Sequence, residues 1–72
     1  MITDDDLQNW FTYHAPTDDQ KVAYKNIREA GLAMARAINA NTPANADQTA
    51  AIRKVREAVM TANAGLACST GG

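Results

Sequence analysis

Fifteen of the 72 residues are alanine, spread from Ala15 to Ala67, and large apolar side chains are few. Alanine buries little area when burial contributes ~25 cal/mol per Å², and a domain of this length buries only about 60% of the surface its unfolded chain exposes. Small scaffolds close such a gap with disulfides, a metal or self-association. Cys68 is the one cysteine and His14 the one histidine, so neither an internal disulfide nor a zinc-like ligand set is expected. Self-association remains, and the chain is expected to act as a homo-oligomer.

The patterning is all-α. Thr3 followed by Asp6 reads as a capping box opening a short helix over about 4–10. Pro16 disfavours helical geometry at Ala15, so Phe11 to Pro16 is expected to be extended or turned and laid across the rest of the protein. Thr17-Asp18-Asp19-Gln20 is a second box. Behind it Tyr24, Ile27, Gly31, Met34 and Ile38 recur at steps of three and four, the stripe of a core-facing helix over about 18–40.

Asn39 to Pro43 breaks the pattern. Asn45-Ala46-Asp47-Gln48 then offers a cap and box, with Thr42-Pro43 as a rival start. Ile52, Val55, Val59, Ala62 and Leu66 continue the stripe through a third helix of about 45–67. Two long helices joined by a few residues make an antiparallel hairpin, so residues 1–72 form one domain with a mobile tail at 69–72. Small residues on other faces (Ala30, Ala33 and Ala37, then Ala51, Ala58 and Gly65) would let protomers approach closely.

The net charge of −1 excludes a generic electrostatic binder of long nucleic acid. Asp4, Asp5, Asp6, Asp18, Asp19 and Asp47 suit helix N-termini. No stretch approaches the ~20 apolar residues of a membrane span, and the start of the chain has no secretory pattern. A cytoplasmic protein is the expectation, and a free Cys68 is compatible with it.

Catalysis is not indicated. His14 is the one conventional general base, it has no adjacent nucleophile, and the aspartates are explained as caps. Trp10, Phe11 and Tyr13 are either a lid over the hairpin or a surface on which a nucleobase stacks. Lys21, Lys25 and Arg28 share a helix face that is either solvated or a phosphate clamp. Arg53 and Arg56 form a second, shorter row.

Phe11-Thr12-Tyr13-His14-Ala15-Pro16, Asp19-Gln20, Tyr24 with Ile27-Arg28, Ala51-Ile52, and Arg56-Glu57-Ala58-Val59-Met60-Thr61-Ala62-Asn63-Ala64-Gly65-Leu66-Ala67 resemble the phage anti-CBASS cyclic-nucleotide sponge family. The resemblance implies a compact helical hexamer in the host bacterial cytoplasm. Such a protein captures cyclic di- and trinucleotide messengers without cleaving them and needs no cofactor or metal. It assigns base stacking to Tyr13 and phosphate contact to Arg28, with Lys25 as the second choice for that contact, and it places Phe11, His14 and Pro16 beside them. Arg56, Thr61 and Asn63 are assigned to a second cyclic-nucleotide site. The competing readings are an adaptor module of a phage particle with no nucleotide affinity and an enzyme that cleaves the same messengers.

Overall fold

The computed structural model describes residues 1–69, which form three helices and no strand. Helix α1 spans Asp4–Trp10, α2 spans Asp18–Asn41 and α3 spans Ala46–Ser69. The starts of α1 and α2 are the two expected boxes. Asp6 N–H donates to Thr3 Oγ1 at 3.1 Å, and Thr3 N–H donates back to the Asp6 carboxylate at 2.9 Å. The Thr17 and Gln20 pair repeats this at 3.2 and 2.9 Å, so donors with no partner inside the helix are satisfied by its own sequence.

The third start is only half of a box. Asn45 Oδ1 caps α3 by accepting from Gln48 N–H at 3.0 Å. The Gln48 carboxamide does not return to Asn45. It crosses the interhelical turn and donates to Asn39 O at 3.3 Å and Thr42 O at 3.1 Å, where the end of α2 leaves carbonyls unpaired. Thr42 ends α2 rather than starting α3, its N–H and hydroxyl both donating to Ile38 O. At its far end α3 runs past the expected boundary, since Ser69 is helical and donates its hydroxyl to Leu66 O at 2.7 Å. The remainder of the expected mobile tail, residues 70–72, lies outside the described residues.

The two 24-residue helices lie side by side, and α1 packs on α3. The molecule measures 44 × 30 × 15 Å, and its thinnest dimension barely exceeds the ~10–12 Å diameter of one helix. It is a single layer. Domains ordinarily bury their apolar stripes between two layers; with one, each helix is covered along a seam and open on both faces. No hydrophobic side chain is fully buried, and Gln20, 7% exposed, is the one buried residue among those described. The radius of gyration, 15.3 Å, exceeds the ~11 Å of a compact chain of this length.

Tyr24, Ile27, Gly31 and Ile38 of α2 and Ile52, Val55, Val59 and Leu66 of α3 are half-buried, as their spacing predicts. Met34 and Ala62 depart from the expected stripe: both are exposed, and Ala35 and Asn63 are half-buried instead. The reason lies at Gly31, where an added Cβ would sit 2.5 Å from Val59 Cγ2. The helices are so close there that the next turn of the seam admits alanine and turns the longer methionine outward. Of the three aromatics read as either a lid or a stacking surface, Trp10 meets α3 and the other two cover nothing. Phe11 and Tyr13 are 85% and 84% exposed, because a one-layer hairpin offers the extended segment no hollow to cover.

Candidate ligand-binding surface

The segment after α1 is an exposed aromatic arm tied down by polar contacts. Phe11 N–H continues the helix to Leu7 O at 3.0 Å, and the Thr12 hydroxyl donates to Gln8 O. His14 is half-buried, and its Nε2–H donates to Asn9 O at 2.7 Å, which leaves Nδ1 as its free ring nitrogen. Ala15 and Pro16 are exposed, lie outside the helices and lead into the extended cap residue of α2, Thr17. The arm therefore presents Phe11 and Tyr13 outward while His14 holds it to α1.

On α2, Lys25, Arg28, Glu29 and Leu32 line an open depression of about 370 Å³. The ion pairs on this face, Lys21–Asp18 at 3.7 Å and Lys25–Glu29 at 3.9 Å, are both solvent-exposed and contribute at most ~1 kcal/mol each. Neither takes up the Arg28 guanidinium. A planar guanidinium with five donors beside a releasable ammonium and an apolar contact suits a phosphodiester. Lys25 and Arg28 thus line one depression in the protomer, whereas Tyr13 does not line it.

Arg56, Thr61 and Asn63 do not form one patch within the protomer. Arg56 and Asn63 are seven residues apart and share a side of α3, while Thr61 lies about 140° around the helix from Arg56. Asn63 is half-buried, and its Oδ1 is enclosed without a hydrogen-bond partner. Thr61 instead joins Trp10, Ala64, Gly65 and Cys68 around a second depression of about 330 Å³. Gly65 opens that surface, since an added Cβ would meet nothing within 4 Å. Trp10, Glu29 and Leu32 were not among the sequence-assigned site residues. Glu29 and Leu32 were legible as the i+4 neighbours of Lys25 and Arg28, and contact of Trp10 with the hairpin was one of two readings of the aromatic cluster, whereas which residues of α3 it meets required the tertiary structure.

Among the described residues, no cluster of three or more His, Cys, Asp or Glu side chains is positioned to hold a metal ion, and no helix is long and apolar enough to cross a membrane. A one-layer helical hairpin with an outward aromatic arm, a basic row on α2 and both faces open defines a small all-α module whose aromatic and basic side chains lie on its exterior. The chain belongs to the Acb2/Tad1 hairpin-domain family, whose profile it matches over residues 3–67. That span takes in α1, α2 and all but the last two residues of α3. No curated protein and no solved structure matches the chain.

Proposed function

We propose that the protein is a sponge for cyclic oligonucleotide messengers, binding cyclic dinucleotides and trinucleotides without cleaving them and thereby blocking bacterial CBASS antiphage defence in the host cytoplasm. The family match over residues 3–67 carries this reading. The chemistry of the exterior supports it. Each nucleobase stacked on an aromatic ring gains ~1–3 kcal/mol, and Tyr13 offers such a ring to solvent. Arg28, with Lys25 as its neighbour, supplies charge-assisted donors to a phosphodiester.

A cyclic dinucleotide carries two bases and two phosphates related by an approximate twofold. Two protomers facing one another across a twofold would present one Tyr13 and one Arg28 to each half of it, with Phe11, His14 and Pro16 framing the pocket. The same association supplies the second layer that a single protomer lacks, and a homohexamer is the assembly we propose. The second site, for cyclic trinucleotides, is assembled from Arg56, Thr61 and Asn63 of different protomers. Stacking and ion pairing bind the ligand without setting a general base or nucleophile against its phosphodiester, so the ligand leaves unaltered.

Native mass spectrometry with a mixed pool of cyclic nucleotides reads subunit number and ligand mass together, and chromatography after denaturation tests that the ligand is intact. No binding of any cyclic di- or trinucleotide at micromolar protein would sink the reading; stoichiometric capture of a virion protein in its place would favour an adaptor. Tyr13→Ala and Arg28→Ala are expected to weaken dinucleotide binding ~10-fold or more while the assembly mass is retained. Wild-type titration curves for both variants would move the pocket elsewhere.

A further inference from the structure

The last four carbonyls of a helix have no partner inside it. In α3 two of these are taken by carboxamides from the other two helices. Gln20 Nε2 donates to Leu66 O at 3.1 Å, and Asn9 Nδ2 donates to Cys68 O at 3.2 Å. Gln20 lies in the first turn of α2, just ahead of the row that carries Lys25 and Arg28, and Asn9 lies in the last turn of α1, just ahead of the aromatic arm. One turn of α3 is therefore the common anchor of the two segments that supply the proposed ligand site.

The arm depends on this anchor because its aromatic side chains have little apolar cover among the described residues. Phe11 and Tyr13 are almost fully exposed, so the position of Tyr13 is set by its neighbours' polar ties. His14, the residue after it, donates to the Asn9 carbonyl at 2.7 Å, and the Cys68 thiol approaches the same oxygen at 3.9 Å. Thr12, the residue before it, is tied to Gln8. Asn9 thus joins the chain in both directions: its carboxamide grips the end of α3 and its carbonyl receives the arm. The Asn9 carboxamide makes the shorter of the two polar links between these residues 59 apart in sequence, 3.2 Å against 3.9 Å for the Cys68 thiol.

We propose that Asn9 is a positioning residue of the ligand site, holding Tyr13 at a fixed place relative to Lys25 and Arg28 without touching the ligand. The proposal rests on the sponge reading and on Tyr13 as the stacking residue. A preorganised ring binds more tightly than one on a loose arm because its ordering cost is met in advance. The effect is expected to vanish when the ring is removed, and a residue acting only on overall stability would not show that dependence.

The test is a double-mutant cycle read by calorimetric titration with cyclic GMP–AMP on the full chain, with Asn9→Ala, Tyr13→Ala and the double variant. Native mass and helix content are measured alongside. Asn9→Ala is expected to weaken binding ~5–10-fold, the scale of one lost hydrogen bond, with assembly mass and helix content retained. In the Tyr13→Ala background it should change affinity less than ~2-fold, because coupled residues are non-additive. Asn9→Leu keeps the approximate size of the side chain and removes the Nδ2 donor without adding a charge beside the Cys68 carbonyl, and it should behave as Asn9→Ala; it carries the test if the alanine variant fails to fold. Wild-type affinity in the Asn9 variants, or losses that multiply in the double variant, overturns the positioning role. Failure of the wild-type chain to bind any cyclic nucleotide overturns the sponge reading instead.

Discussion

Gly31→Ala should destabilise this protein although it removes a glycine from the middle of a helix. On α2 alone the change is favourable by ~0.8–1.0 kcal/mol. The seam opposes it, because the new methyl would lie 2.5 Å from Val59 Cγ2, against the ~3.5–4.0 Å at which carbon atoms make optimal contact. Val59 is β-branched and holds one strongly preferred rotamer in a helix, so it cannot swing the methyl aside. The helices must part by about 1 Å, and overpacking of this kind costs ~1–3 kcal/mol. The net expectation is a loss of about 1 kcal/mol.

Val59→Ala removes the obstructing atom. The nearest remaining contacts of the new methyl are then the Cβ of residue 59 at 3.9 Å and Val55 Cγ1 at 4.0 Å, both ordinary. In that background Gly31→Ala should be stabilising by ~0.8–1.0 kcal/mol, as in a free helix. The sign therefore reverses, and the coupling between positions 31 and 59 is ~2 kcal/mol. Urea denaturation followed by far-ultraviolet circular dichroism measures all four proteins, at one protein concentration because the proposed self-association would contribute to apparent stability. If Gly31→Ala stabilises the wild-type background as much as the Val59→Ala background, the close approach of α2 and α3 is not as described.

Two further substitutions separate local from tertiary effects. Gln20→Glu keeps a good capping-box residue behind Thr17 but removes the Nε2 donor to Leu66 O; a loss of ~1–3 kcal/mol in the same denaturation assay is expected, and an unchanged midpoint would reduce Gln20 to a local cap. Gly65→Ala meets open space in the protomer and should favour helix α3 by ~0.8–1.0 kcal/mol, yet native mass spectrometry should show a weakened assembly because the small-residue face of α3 is proposed to pack between copies. An assembly of undiminished strength would take Gly65 out of the interface.

Much of the architecture was legible because it is written in local chemistry. Thr3 with Asp6 and Thr17 with Gln20 announce helix starts through contacts three residues apart, and Pro43 stops α2 whatever surrounds it. The basic row of Lys21, Lys25 and Arg28 follows from helical spacing alone. The aromatic arm was legible in extent but not in pose: its residues suit a lid as well as a stacking surface, and the choice depends on whether there is a hollow beneath. Arg56, Thr61 and Asn63 looked like one group because they are near in sequence, and helix geometry turns Thr61 away from the other two.

The alanine-rich sequence by itself determined three helices, the caps of the first two, most of the seam and a thin core, since each follows from residue type and spacing within a few turns. Tertiary structure decided where the seam shifts, because Gly31 draws α2 so close to Val59 that Ala35 replaces Met34 in it. It also decided that Gln20, a capping residue by its local pattern, and Asn9, a polar residue with no pattern at all, converge on the last turn of α3. Contacts between residues 46 and 59 apart depend on how the helices lie against one another, and no local spacing encodes that.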